Sequence, residues 1–522
     1  MTESKLITRQ YNARSTRSIF WIDLETKRIR WSKKIIMRNL EWRLPQSKVI
    51  QGSLWTFTSY GVVQLLRLIS NICLARLLVP EAFGLMSLVM LVMQGLAMFS
   101  DIGILPSIVQ NREGNSPAFL NTAWTIQLIR GVVLWLLASA LSIPFSVLYE
   151  QPMLAQVIPV ASLSAIISGL NSTKLATESR QLKFKNITAI EIASQILSIA
   201  TMIIWALVSP TVWALVAGGI LGTLSKMLLS HIVLTGPINR LSWDSKSVLG
   251  LIKFGKWIFI STIFHFLASQ SDKIIFGKLV SLTELGVYSI AVIFASIPFS
   301  VISQLSSRVV FPLFSQCINE KGHIPEETYK KVSRIYMVVG TAVTAITFIG
   351  GPSIIKLFYD ERYSVASDLV QLLVIGRWFE VVLGSVRGAA LLSHGMPEWN
   401  SIASGLKLFF ICILIYPIFE MYGFYAAVIG YGVTELFRYF VFVYANYRIS
   451  IRGLNLDIFV TIIASFSLIF IEYIIWFMAS LGHQEQIFRF GACFIVLIVS
   501  AVTGFGYFKY QLKERSYDNT WF

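Results

Sequence analysis

From residue 54 almost to the end of the chain, apolar runs of about twenty residues alternate with short polar connections. A helix rises about 1.5 Å per residue, so runs of this length suit the ~30 Å hydrocarbon layer of a bilayer. The pattern predicts spans near 54–78, 84–106, 119–144, 155–176, 188–208, 211–236, 254–277, 285–311, 333–356, 367–392, 401–418, 423–445, 457–480 and 487–508. These are fourteen helices, with the two closest pairs parted at Ser209-Pro210 and Tyr422-Gly423.

The connections check the count independently, because cytoplasmic loops collect Lys and Arg. With the N-terminus inside, inner connections carry Arg112; Arg180, Lys183 and Lys185; Arg240, Lys246 and Lys253; Lys321, Lys330, Lys331 and Arg334; Arg448 and Arg452; and Lys509, Lys513 and Arg515. Outer connections carry only Lys278, Lys356 and Arg362. A missed or invented span would reverse every later loop, so the alternation predicts that both termini are cytoplasmic.

Composition agrees with the pattern. The chain is 55% hydrophobic and 14% charged, with mean hydropathy +0.66, far from the roughly 25% charged residues of soluble domains. Its net charge of +16 lies largely in the inner loops rather than on one stripe, which argues against nucleic acid as a partner. Cys73, Cys317, Cys412 and Cys493 form no C-x-x-C pair, and the five histidines show no metal-ligand spacing; neither a disulfide framework, a metal nor a cofactor is implied. The first 50 residues hold twelve Lys or Arg against four acidic residues and lack the apolar core of a secretory signal. They read as a basic cytoplasmic extension lying on the anionic inner leaflet, or as sequence upstream of a start at Met37.

The chain also repeats itself. LARLLVPEAFGLMSLV (74–89) and FGKLVSLTELGVYSIA (276–291) align so that Arg76 falls on Lys278, an offset of 202, and Gly84 falls on Gly286. At the same offset Trp55 meets Trp257 and Phe57 meets Phe259. The copies begin at the first and the seventh span, an even number apart, so they share one orientation. This predicts an all-α integral membrane protein of two parallel six-helix bundles, 54–236 and 254–447, joined by a cytoplasmic linker 237–253. The extension 1–53 precedes them, and 448–522 adds two helices and a tail. Parallel repeats about an axis along the membrane normal are a transporter architecture, with the substrate between the halves.

R-L-L-x-P-E-x-F-G-L (76–85), F-S-D-I-G-I (99–104), V-L-Y-E-Q-P (147–152), E-S-R-Q-L-K-F-K (178–185) and D-K-I-I-F-G-K-L…L-G-V-Y-S-I-A (272–291) resemble the polysaccharide-repeat (Wzx-like) flippases of bacterial inner membranes. That group lies in the superfamily of multidrug and toxin extruders and the lipid II flippase. The resemblance spans about residues 50 to 450. It implies export of undecaprenyl-diphosphate-linked oligosaccharide for exopolysaccharide, capsule or lipopolysaccharide, with a polymerase and chain-length or export proteins as partners.

Charges inside the spans are functional candidates, since each costs about 2.5–3.5 kcal/mol at mid-bilayer on insertion scales. Arg438 and Glu435, and Arg377 and Glu380, are three apart on a helix and can neutralise each other. Asp101, Lys273 and Arg308 lie near helix ends, where they can snorkel. The remaining excess is cationic in both halves: Arg67 and Arg130 in the first, Arg377, Arg387 and Lys407 in the second. Guanidinium groups bind phosphate oxygens bidentately, so these five are the candidate diphosphate and glycan contacts. Asp101, Glu191 and Asp272 are the candidates for ion coupling. Outward movement of a negative charge gains about 2.3 kcal/mol per 100 mV of inside-negative potential, so coupling is not required. A membrane polymerase or glycosyltransferase would need a catalytic constellation on a large loop, and every outer connection here is short. A cation-coupled drug antiporter would need an acidic cavity.

Overall fold

The computed structural model describes residues 46–100, 104, 108, 114–181, 183–245, 248, 263, 266–451, 454–481 and 484–496, with side chains from Gly61 onward. Contacts divide the chain into Met1–Leu54 and Trp55–Phe522. Of the first unit, residues 46–54 are helical; the predicted basic extension otherwise lies outside the described residues.

Among the described residues the chain is helical throughout. The first repeat comprises α1 (Gln46–Leu77), α2 (Pro80–Phe99), α3 (Pro117–Leu148), α4 (Leu154–Ala161), α5 (Leu163–Gly169), α6 (Lys174–Arg180), α7 (Phe184–Val208) and α8 (Val212–Ile232). The second comprises α9 (residues 266–279), α10 (Leu282–Ala295), α11 (Ile297–Leu305), α12 (Phe311–Lys321), α13 (Glu326–Phe358), α14 (Val365–Gly376), α15 (Ser385–Ser393) and α16 (Glu398–Arg448). After these come α17 (Leu454–Ser480) and α18 (residues 485–496).

Local chemistry sets the starts. Pro80 and Pro117 occupy first-turn positions where a missing N–H costs nothing. Ser116 accepts from the Phe119 amide, and Ser281 with Glu284 forms a reciprocal capping box at α10.

Nine helices among the described residues are long and apolar enough to cross a membrane, or ten if the chain from Leu154 to Arg180, bent by 58°, is one span. One of the nine is α16, whose 51 residues are interrupted at Gly423, φ 79°. That left-handed residue lies beside the Tyr422-Gly423 break expected between two spans. The expected spans at 254–277 and 487–508 fall partly outside the described residues.

The repeated glycines meet each other. The Gly84 and Gly286 backbones pack so closely that a Cβ on Gly84 would run into the Leu282 carbonyl, and one on Gly286 into the Pro80 carbonyl. Pro80 and Leu282 are themselves repeat partners, as are Glu81 and Thr283, whose hydroxyl donates to the Glu81 carboxylate at 2.5 Å. A contact that maps onto itself when the repeats are exchanged lies on their pseudo-two-fold axis.

More bonds between the repeats gather at this end of the bundle. Lys278 pairs with Glu150 at 2.5 Å, Arg76 donates to the Phe358 carbonyl at 2.8 Å, and Phe83 meets Tyr363 edge to face. The ammonium of Lys278 holds the Glu150 carboxyl below the usual carboxylate range. Lys278, Lys356 and Arg362, the basic residues of the connections predicted to be outer, are each ion-paired, with Glu150, Glu485 and Asp360 respectively.

The start of the linker is strapped to the first repeat. Backbone amides of Arg240, Ser242 and Asp244 donate to the side chains of Asn121, Thr125 and Thr122 on α3. Buried Lys174 donates to the carbonyls of His231 and Leu234 at the end of α8.

Candidate functional site

Helical spacing builds one wall of a cavity. Glu191, Ser194, Gln195 and Ser198 on α7, and Gly219, Gly222, Thr223 and Lys226 on α8, each fall at i, i+3, i+4 and i+7, a single helix face. The two helices approach closely because Gly218 and Gly222 lie against Ser198, whose hydroxyl donates to the Gly218 carbonyl at 2.8 Å. Both polar stripes then face Val63, Gln64 and Arg67 of α1 and Arg308 of the second repeat across a cavity of about 450 Å³.

The cavity is cationic. Its lining includes Arg67, Lys226 and Arg308 against one carboxylate, Glu191, which lies 3.7 Å from Lys226. Among the described residues Arg67 has no ion-pair partner and is exposed to this space. Arg308 donates to Gln304 at 3.1 Å and belongs to the π-helical turn Ser306–Val310, a distortion common at functional positions. Lys226 escaped the reading of isolated charges. Its signal was the polar stripe of α8 rather than the lysine alone.

A second group of charges lies within the second repeat. Lys407 is ion-paired with Glu435 and sits 4.7 Å over the Tyr431 ring. Arg438 pairs with Glu380 at 2.5 Å and lies 3.6 Å from Glu435. Glu380 therefore takes Arg438 as its ion-pair partner, rather than Arg377 as spacing suggested; Arg377 lies within electrostatic reach of Glu380 and Asp272. Asp272 is buried and accepts from the Tyr288 hydroxyl at 2.8 Å. Arg377, Lys407 and Arg438 thus face Asp272, Glu380 and Glu435, and the cationic excess expected in this half is balanced.

The other candidates stand apart. Arg387 is ion-paired with Asp457 of α17, both side chains 3% exposed. Arg130 donates to Ser100 Oγ and the Ala97 carbonyl at the end of α2, where a cation also meets the negative pole of the helix. Of the candidate carboxylates, Glu191 lines the cationic cavity, Asp272 lies in the balanced network, and Asp101 lies outside the described residues.

A many-spanned helical bundle with a charged cavity between parallel repeats is an architecture that transporters use, and solved structures share the fold. The fold matches the lipid II flippase MurJ in its inward closed conformation with TM-score 0.63 at 14% identity, over 87% of this chain and 98% of that one. It matches an inward-facing multidrug resistance MATE family transporter with TM-score 0.59 at 16% identity, over 74% and 94%. The model of the family described as "Polysaccharide biosynthesis protein" covers residues 73–368, more than half of the chain, and the chain belongs to that family. It is 22% identical over 440 residues to the lipopolysaccharide biosynthesis protein WzxC of Escherichia coli (strain K12), spanning 81% of this chain and 88% of the relative. It is likewise 22% identical over 307 residues to the succinoglycan biosynthesis transport protein ExoT of Rhizobium meliloti (strain 1021), 58% and 61% of the two chains.

Proposed function

We propose that this protein is a flippase that moves undecaprenyl-diphosphate-linked oligosaccharide repeat units across the bacterial inner membrane for surface polysaccharide synthesis, without catalysing a reaction on them. The observation that carries the reading is the cavity between the repeats, where among the described residues Arg67, Lys226 and Arg308 line the wall with one carboxylate, Glu191. A cation in a bilayer-spanning bundle is costly unless paired; Arg67 has no ion-pair partner among the described residues, and a diphosphate would supply one. Arg67 is the principal contact, with Lys226 and Arg308 beside it. The alternating charge of the loops supports a periplasmic position for the Gly84–Gly286 end and cytoplasmic termini. Rocking of 54–236 against 254–447 would then open that end and close the other. The two C-terminal helices are an addition to this machine, and polymerase and chain-length or export proteins receive its product.

In a strain lacking this protein, lipid-linked repeat units should accumulate on the cytoplasmic face, as read by periplasmic access of a glycan-specific probe. The wild-type chain should restore export, and Arg67→Ala should not, at equal membrane insertion. Full export by Arg67→Ala would overturn the cationic-site reading. Unpolymerised units on the periplasmic face would instead place the protein after flipping.

Orientation has its own check. Glu361 and His323, both exposed, lie at opposite ends of α13. In a cysteine-free background, Glu361→Cys should react with an impermeant maleimide in intact cells, and His323→Cys only after permeabilisation. The reverse pattern would invert the topology.

A further inference from the structure

A second cavity, of about 670 Å³, lies wholly within the second repeat, in the size range of small-molecule sites. Both π-helical segments, Ser306–Val310 and Phe379–Gly384, contribute to its wall. Phe311, Phe379 and Phe442 supply aromatic surface, and Ser307 and Asn400 supply hydroxyl and amide groups. Its charged wall is Arg438 with Glu380 and Glu435, part of the balanced network that Lys407 completes, in contrast to the cationic first cavity.

Two polar atoms in that wall lack hydrogen bonds. Arg438 Nε and Glu435 Oε2 are buried without a hydrogen bond, and Glu435 is 3% exposed. Buried donors and acceptors without hydrogen bonds are costly, so the Arg438 Nε–H and the Glu435 oxygen, which has only a 3.6 Å ion pair to Arg438, mark a place for a ligand that can both accept and donate. A hydroxyl does both. A diphosphate would find no uncompensated cation here, because Arg438 is already paired with Glu380 and Glu435, and a polyprenyl chain would leave both atoms without hydrogen bonds.

We infer that this cavity is the glycan subsite of the substrate: a neutral, polyhydroxylated oligosaccharide would lay its apolar ring faces on the phenylalanines and its hydroxyls on Glu435, Arg438 and Asn400. The inference rests on the flippase reading above. The π-helical turn joins the two sites, because Ser307 lines the second cavity and the next residue, Arg308, lines the first. A sugar linked to a diphosphate could then span the turn, with its anion among Arg67, Lys226 and Arg308.

Gly388 provides the test, since a Cβ there meets its nearest neighbours, Asn400 Oδ1 and the Phe442 ring, only at 3.8 Å. Gly388→Leu therefore adds bulk at the cavity wall from a position where the Cβ itself meets no neighbouring backbone. The probes are undecaprenyl diphosphate and the sugar-bearing lipid extracted from the strain lacking this protein, with affinities measured on purified protein in nanodiscs. Gly388→Leu, and separately the milder Asn400→Ala, should weaken the sugar-bearing lipid about tenfold, the scale of one lost buried polar contact, and leave undecaprenyl diphosphate unchanged. Equal weakening of both probes would mean that the cavity takes the lipid chain or diphosphate, and no effect on either would mean that it takes no part; each overturns the inference. Arg67→Ala is the control for the underlying reading: it should weaken both probes, and its failure to do so would sink the diphosphate site separately.

Discussion

Arg387→Ala should cost the protein about 3–5 kcal/mol of stability, the loss expected when one partner of a buried ion pair is removed. Asp457 would remain buried on α17 with, among the described residues, only the Tyr439 hydroxyl, which donates to it at 2.5 Å. Thermal unfolding in detergent would show this as a large drop in Tm, and Asp457→Ala should behave alike. The paired replacement Arg387→Met with Asp457→Leu should recover most of the loss, because no charge is left uncompensated, and should restore export. A stable double variant that fails to export would return Arg387 to the substrate site.

The second large effect is expected at the repeat contact. In Gly84→Leu or Gly286→Leu the new side chain meets a backbone carbonyl of the opposite helix, which cannot rotate away, so α2 and α10 must part. A penalty of about 3 kcal/mol or more would lower the closed population at least about a hundredfold. Export should be lost while the protein still inserts. Ser87, 8% exposed with this contact made, reports on it: Ser87→Cys should label faster in the Gly84→Leu background than alone. Normal export by both leucine variants would show that closure at this contact is dispensable.

The contrast between these predictions shows what the sequence could disclose. Helical periodicity, the basic loops and the duplication all depend on order along the chain, and they identified the helical membrane class and the equivalence of Gly84 and Gly286, though not that the two glycines touch. Charge pairing depends on which helices become neighbours. Arg387 and Asp457 are 70 residues apart, and Lys407 and Glu435 are 28 apart, so nothing local marks them as partners. The three-residue spacings of Glu435 with Arg438 and of Arg377 with Glu380 were readable, yet it is Glu380 that holds Arg438 most closely. The same limit applies to α17 and α18. Their attachment depends on Arg489, which binds Glu472 and Glu485 while Lys356 of α13 reaches Glu485.

The self-mapping contact of Gly84 with Gly286 also bears on ancestry. A half-length protein ending before the linker could make the same contact with a second copy of itself, as a parallel homodimer with two identical cavities. Fusion of two such genes would free each half to diverge. One copy could then keep its cations for the anion, while the other acquired carboxylates and aromatic walls for a different part of the cargo. Expressing residues 1–245 and 246–522 as two polypeptides retraces that history, since the α3 strap holds the end of the first fragment in place.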